Sequence, residues 1–213
     1  MIKYISTYSP WIVLLFLFYF FGTLGIGIEE SQNFFLPLTP LNLLLTLFIF
    51  FKINGDFSKR FLTLSAIIFL IGFSIEAVGT ATGILFGSYY YGEVFGWKVF
   101  NTPLLIGVNW LFLALSSHGV VQHFTKKPFW LVLLPSLLMT GLDFLIEPVA
   151  IQLKFWSWEN NIIPLQNYLM WFLTSSVIHG IICLYRPKIN AKISYVIIIA
   201  QLVFFGTLYL LIG

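Results

Sequence analysis

Residues 76–110 place a carboxyl group, small residues and aromatic rings close together along the chain. Glu76 lies in an apolar segment, and Asn109 and Trp110 end the stretch. Between them lie three glycines at four-residue spacing and two tyrosines, namely Gly79, Gly83, Gly87, Tyr89 and Tyr91. A buried carboxylic acid donates a proton, and aromatic faces stabilise a cation. The pattern therefore predicts proton-initiated chemistry on an apolar substrate.

A second segment loosely repeats this arrangement. Asp143 and Glu147 lie one helical turn apart, and an aromatic loop with Trp158 follows. Asn167 and Trp171 then lie on a segment that begins with Pro-Leu, as the segment before Trp110 does. The two stretches indicate a duplicated unit of acid helix, aromatic loop and Asn/Trp helix.

The composition indicates a membrane protein. Hydrophobic residues make up 59% of the 213 residues and charged residues 9%, whereas soluble domains carry about 25% charged residues. Seven stretches are long enough to span a bilayer: 10–28, 36–51, 61–86, 103–121, 129–151, 165–185 and 193–212. We therefore expect an all-α, polytopic membrane helix bundle of about seven transmembrane helices, forming a single integral membrane domain over residues 1–213.

The basic residues predict the orientation of this bundle. The predicted spans place nine of the 11 lysines and arginines on the same side of the membrane as the N-terminus. They are Lys3, Lys52, Lys59, Arg60, Lys126, Lys127, Arg186, Lys188 and Lys192. Cytoplasmic loops carry such an excess, so we expect a multi-pass protein of the cytoplasmic membrane with its N-terminus inside and its C-terminus outside. The net charge of +3 argues against a nucleic-acid partner and leaves the lipid bilayer as the expected environment.

The predicted spans place three polar residues at one depth. With a helical rise of 1.5 Å per residue, Glu76, Asp143 and Asn109 each lie about 21–22 Å from the inner face. Glu147 lies one turn above Asp143. These four are the candidate catalytic residues, because charged groups at such depth are costly unless they face a partner or a cavity. The alternative is that they only hold the helices together.

The remaining candidates are predicted to bind the substrate. If the helix continues beyond Glu76, the glycines form a groove along its face, although tight helix packing explains the same spacing. The aromatic residues either cover a hydrophobic substrate or form an interfacial belt. The predicted substrate-binding residues are Gly79, Gly83, Gly87, Tyr89, Tyr91, Trp110, Trp158, Asn167 and Trp171.

The sequence indicates neither a metal site nor a nucleotide cofactor. His118, His123 and His179 lie toward the inner side, away from the acids, and form no HxxxH pattern. A di-iron membrane hydroxylase needs many more histidines. The single cysteine excludes a Cys-based metal site, and no glycine-rich nucleotide loop follows a strand.

Several strings resemble one family of carotenoid-biosynthesis membrane proteins, the carotenoid 1,2-hydratase and bisanhydrobacterioruberin hydratase type. They are L-T-P-L-N-L-L at 38–44, E-x-x-G-x-x-T-G-x-x-F-G-x-Y-x-Y-G at 76–92, P-L-L-I-G-x-N-W at 103–110, and D-F-L-I-E-P with W-x-W at 143–158. The resemblance implies cofactor-free addition of water to the terminal C1=C2 double bond of an acyclic carotenoid similar to lycopene or gamma-carotene. It does not identify the proton donor.

The chemistry then requires an acid, a cation-stabilising surface and a positioned water. We expect Glu76 or Asp143 as the acid, with the other carboxyl group, Glu147 and Asn109 placing the water. Two alternative functions stay open, a lycopene-cyclase-like carotenoid end-group cyclase and a proton-coupled membrane carrier. Glu29-Glu30 with Phe34-Phe35 resembles, with one residue more between the pairs, the E-E-x-x-F-F string of small membrane lycopene cyclases. A proton-coupled carrier also needs membrane acids.

Overall fold

A computed structural model of the chain describes residues 2–212, with side-chain surroundings from residue 10 onward; Met1 and Gly213, the ends of the predicted domain, lie outside the described residues. Its helices are α1 (Ile2–Gly27), α2 (Glu29–Phe35), α3 (Thr39–Asn54), α4 (Lys59–Thr82), α5 (Leu104–Phe124), α6 (Pro128–Gln152), α7 (Leu165–Tyr185) and α8 (Ala191–Ile212). Within residues 2–212, seven segments are long and apolar enough to cross a membrane. This confirms the predicted all-α bundle and makes the chain a multi-pass membrane protein.

The second span is the one composite segment among these seven. The helix α2 continues through a 3₁₀ turn (Leu36–Leu38) into α3, and together they form the span Glu29–Asn54. The third span is shorter than predicted. Gly83 ends α4 in a left-handed conformation with φ +65°, which a residue without Cβ adopts readily. The predicted continuation to residue 86 is therefore wrong.

The helix α5 occupies the centre of the bundle. It packs against α3, α4, α6, α7 and α8, and most of its side chains are buried. The helices α4 and α6 flank it, and α7 packs along α6. Groups that lie on the inner faces of α4, α6 and α7 therefore meet around α5.

A short antiparallel ribbon joins the two aromatic loops at the end of the bundle. Its strands are β1 (Tyr89–Tyr91) and β4 (Trp156–Trp158), with Tyr90 opposite Ser157. A separate small hairpin pairs β2 (Lys98–Val99) with β3 (Thr102–Pro103) just before α5. Because side chains alternate along a strand, the ribbon directs the first and third residues of each strand to the same face.

Candidate active site

Glu76 on α4 is the acceptor for three ring donors. Its Oε2 accepts hydrogen bonds from the Tyr89 hydroxyl at 2.5 Å and the Tyr91 hydroxyl at 2.8 Å. Its Oε1 accepts from the Trp110 Nε1–H on α5 at 3.0 Å. The carboxyl group is buried, with 4% of the residue exposed. All three partners are residues that the sequence predicted for this site.

Glu147 on α6 has a corresponding set of donors. Its Oε2 accepts from Trp158 Nε1 at 2.8 Å and from Trp156 Nε1 at 3.0 Å. The amide of Asn167 on α7 donates to Glu147 Oε1 at 3.1 Å and to Asp143 Oδ2 at 2.8 Å. Asn167 therefore links the two acids of α6. Trp156 belongs to the W-x-W string but is not among the predicted site residues.

The ribbon connects the two groups of acids. Tyr89 lies opposite Trp158 and Tyr91 opposite Trp156. The Tyr89 and Trp158 rings are 5.0 Å apart between centroids. Burial, and next the Glu76 charge, raise the pKa of both the Tyr89 and the Tyr91 phenol. Both phenols therefore stay protonated and act as donors to Glu76.

The cluster contains no cation to balance its acids. Among the described residues the single ion pair joins Lys98 to Glu93 in the loop between α4 and α5. The partners of Glu76, Asp143 and Glu147 are hydroxyl, indole and amide groups. Buried charges without a partner are strongly disfavoured, so the cluster limits its charge by holding protons. A site that stores a proton beside aromatic rings is equipped for acid chemistry.

Trp110 and Trp171 stack on one another beside Glu76. Their rings are stacked, with centroids 4.1 Å apart and planes 18° from parallel. Gly72 on α4 makes room for Trp110, since a Cβ there would lie 2.6 Å from the Trp110 Cγ. Two of the predicted substrate-binding residues, Trp110 and Trp171, therefore lie together, and Trp110 contacts Glu76 directly.

The three glycines do not form the predicted groove. Gly79 lies on α4, but Gly83 ends the helix and Gly87 lies in the following loop with φ +106°. Aromatic side chains fill the space beside two of them: a Cβ at Gly79 would lie 3.1 Å from the Tyr89 hydroxyl, and one at Gly87 3.4 Å from the Trp158 ring. The continuous side-chain-free face is therefore wrong, because the helix ends at Thr82.

Asn109 is not among the hydrogen-bond partners of the acids in the described part of the chain, contrary to the expectation that it shares their site. It lines a separate cavity of about 400 Å³ between α1, α3, α5 and α8. Adjacent residues on a helix point about 100° apart, so Trp110 faces the acids while Asn109 faces this cavity. Depth along a helix, on which the expectation depended, does not determine this rotation.

The cavity is largely apolar and has polar groups that sequence interpretation missed. Tyr19 on α1 accepts a hydrogen bond from Gln201 on α8 at 2.9 Å and contacts Thr46 on α3 at 3.2 Å. Among the described residues, the Thr39 hydroxyl and the Asn42 side-chain Oδ1 are buried without a hydrogen-bond partner. Thr39 and Asn42 belong to the 38–44 string, which was the one sequence signal for this region.

A closer repeat than the one predicted relates the two halves of the site. The string F-x-I-E-x-V occurs at 73–78 and at 144–149. The string W-x₇-H-G occurs at 110–119 and at 171–180, and the His118 and His179 Nδ1 atoms are 3.3 Å apart. Each glutamate accepts from the two outer residues of its own ribbon strand. These strings relate Glu147 to Glu76 and Trp171 to Trp110.

Comparison with known proteins identifies the family of the chain. The family model described as "Carotenoid biosynthesis protein" matches residues 38–213. A curated relative, a bisanhydrobacterioruberin hydratase of Haloarcula japonica, is 30% identical over 122 residues, which is 51% of this chain and 40% of the relative. The chain therefore covers about two fifths of the length of that relative. No solved structure matches. The chain belongs to the carotenoid biosynthesis protein family.

Proposed function

We propose that this protein is a carotenoid hydratase of the cytoplasmic membrane, which adds water across the terminal C1=C2 double bond of an acyclic carotenoid without a cofactor. The observation that supports this most strongly is the buried cluster of Glu76, Asp143 and Glu147 surrounded by aromatic rings. The name of the bisanhydrobacterioruberin hydratase relative supports the same reaction class.

Asp143 is our candidate for the proton donor. Glu76 and Glu147 each accept three hydrogen bonds, which favour the ionised, acceptor-only form of a carboxyl group. Asp143 accepts one hydrogen bond, from an amide that it shares with Glu147. The acid with the fewest donors is the one best able to keep a proton for the substrate.

In the proposed reaction, the Asp143 carboxylic acid transfers its proton to C2 of the trisubstituted double bond. The C1 carbon becomes a tertiary cation, which the aromatic faces of Trp110, Trp171 and Tyr89 stabilise. A water oxygen bonds to C1, and the proton that this water loses returns to the Asp143–Glu147 pair. The product is a tertiary alcohol, and the enzyme ends with the protons it began with.

Isotopic labelling in a lycopene-producing bacterium tests the reaction. We expect a product heavier by one water, with one deuterium at C2 in heavy water and labelled oxygen from labelled water, even without oxygen gas. The Asp143→Asn variant is the matched control and should form about 10²–10⁴-fold less product. A ring isomer that gains deuterium but no oxygen would identify a cyclase, and an unchanged pigment with the native protein would contradict the proposal.

A further inference from the structure

We propose that the Trp156 side chain is a movable partition between the 400 Å³ cavity and the acid cluster. The cavity is lined by Trp156 and by Ile146, the residue before Glu147, but by none of Glu76, Asp143 and Glu147. The acids thus lie directly behind the cavity wall. A ligand in the cavity reaches them only when part of that wall moves.

The cavity suits the end of a long apolar chain. Leu17, Phe21 and Leu38 line it and are also 45%, 54% and 40% exposed on the outer surface of the bundle. That surface faces lipid in a multi-pass protein, so the cavity opens sideways toward the acyl chains. The identity of the ligand as an acyclic carotenoid end group rests on the proposed function, whereas the position of the partition does not.

Trp156 is the residue of the cavity wall that also donates a hydrogen bond to one of the acids, and its ring lies edge-on to Tyr91 with centroids 6.1 Å apart. Its indole nitrogen donates to Glu147 Oε2 at 3.0 Å, while its ring lines the cavity and is only half-buried. Trp158 donates to the same oxygen at 2.8 Å but is 4% exposed and packs against Tyr89. If Trp156 swings away, Glu147 keeps Trp158 and Asn167 as donors and gains a free face toward the cavity.

The partition separates the reacting groups from lipid and from stray water until a substrate is present. Displacement of one indole by an apolar end group would join the cavity to the acids and leave the rest of the hydrogen-bond network intact. Trp156 is therefore a positioning residue: it contacts Glu147 and controls what reaches it.

Dicyclohexylcarbodiimide, an apolar reagent for protonated carboxyl groups, tests the partition in native membranes. Mass spectrometry of the 143–147 peptide measures modification of Asp143 and Glu147. We expect slow modification of the native protein and several-fold faster modification of Trp156→Ala. Trp156→Phe, which keeps a ring but lacks the N–H donor, should also react faster, and decides the question alone if the alanine variant does not fold. Added lycopene should slow the reaction in both variants.

Trp97→Ala is the matched control, because Trp97 is 89% exposed in an outer loop. Its modification rate should equal that of the native protein. Unchanged rates in both Trp156 variants, or an equal increase in Trp97→Ala, would overturn the proposal. The labelling rate can be measured without hydratase activity. If the Trp156 variants are labelled faster but the native protein makes no hydrated pigment, the proposed function is rejected and the partition is kept.

Discussion

Asp143 occupies in α6 the position that Gly72 occupies in α4, four residues before the glutamate of each half. Gly72 accommodates the Trp110 indole, whereas Asp143 accepts a hydrogen bond from Asn167. The two glutamates and their ring donors are thus common to both halves. The extra acid is not, and this difference supports our proposal that the α6–α7 half donates the proton.

The first prediction concerns this extra acid. Asp143→Asn keeps the size of the side chain but removes the donatable proton, and general acid–base groups contribute about 10²–10⁴-fold to rate. We expect product formation to fall by that range while the protein still accumulates in the membrane. Pigment analysis by mass and chromatography measures the loss.

Glu76→Gln and Glu147→Gln should also reduce product, because each places an amide N–H against ring donors that need an acceptor. Glu93→Gln is the control: its side chain is 91% exposed in the loop between α4 and α5 and should tolerate the change. Near-native activity of Asp143→Asn would exclude Asp143 as the acid.

The second prediction concerns the packing under the cluster. Gly72→Ala places a Cβ 2.6 Å from the Trp110 Cγ, so the indole must move away from Glu76 and from Trp171. Overpacking of this kind costs about 1–3 kcal/mol. We expect a lower melting temperature in detergent and reduced activity.

Gly141→Ala is the matched control for Gly72→Ala. It also lies inside a spanning helix, but a Cβ there meets nothing within 4 Å. Its stability should stay close to native. Equal melting temperatures for the two alanine variants would show that Trp110 does not depend on the space at Gly72.

The third prediction uses the phenols. Tyr89→Phe removes one of three donors to the buried Glu76 carboxyl group, which should cost about 1–3 kcal/mol of stability. Burial and the Glu76 charge raise the pKa of the Tyr89 phenol. The folded protein therefore keeps the Tyr89 proton at a pH where the phenol of the unfolded chain, with a pKa of about 10, loses it. The native protein should therefore lose stability as the pH rises above about 10.

Thermal unfolding across pH 8–11 would measure this effect, with a shallower alkaline decline expected for Tyr89→Phe. Tyr90→Phe is the matched control on the same strand, since Tyr90 is 66% exposed. It should keep the native stability and the native pH dependence. A decline that is identical in all three proteins would rule out the Tyr89 phenol as its origin.

The span pattern could be predicted because runs of about 20 apolar residues have few other uses. The depth calculation was likewise sufficient to select Glu76 and Asp143, since the rise per residue is fixed. It failed for Asn109, because depth does not determine which way a side chain points around the helix. It also missed Trp156, whose role depends on the pairing of its strand with Tyr91, 65 residues earlier in the sequence.

The fourth prediction is the orientation of the bundle, which follows from charge and not from packing. Lys126 and Lys127 lie between α5 and α6, on the side that carries nine of the 11 basic residues. Cytoplasmic loops carry this excess. A reporter enzyme that is active only in the cytoplasm should therefore be active when it is fused after Lys127. Seven spans then place a reporter fused after Gly213 outside, where an externally active enzyme such as alkaline phosphatase should be active.

Replacing Lys126 and Lys127 by glutamine should weaken this preference, while the same exchange at Lys98 and Lys154 on the opposite side should strengthen it. If both reporters are active in one compartment, either a span does not cross the membrane or the positive-inside assignment fails, and the acid cluster would then lie at a different depth from the one proposed.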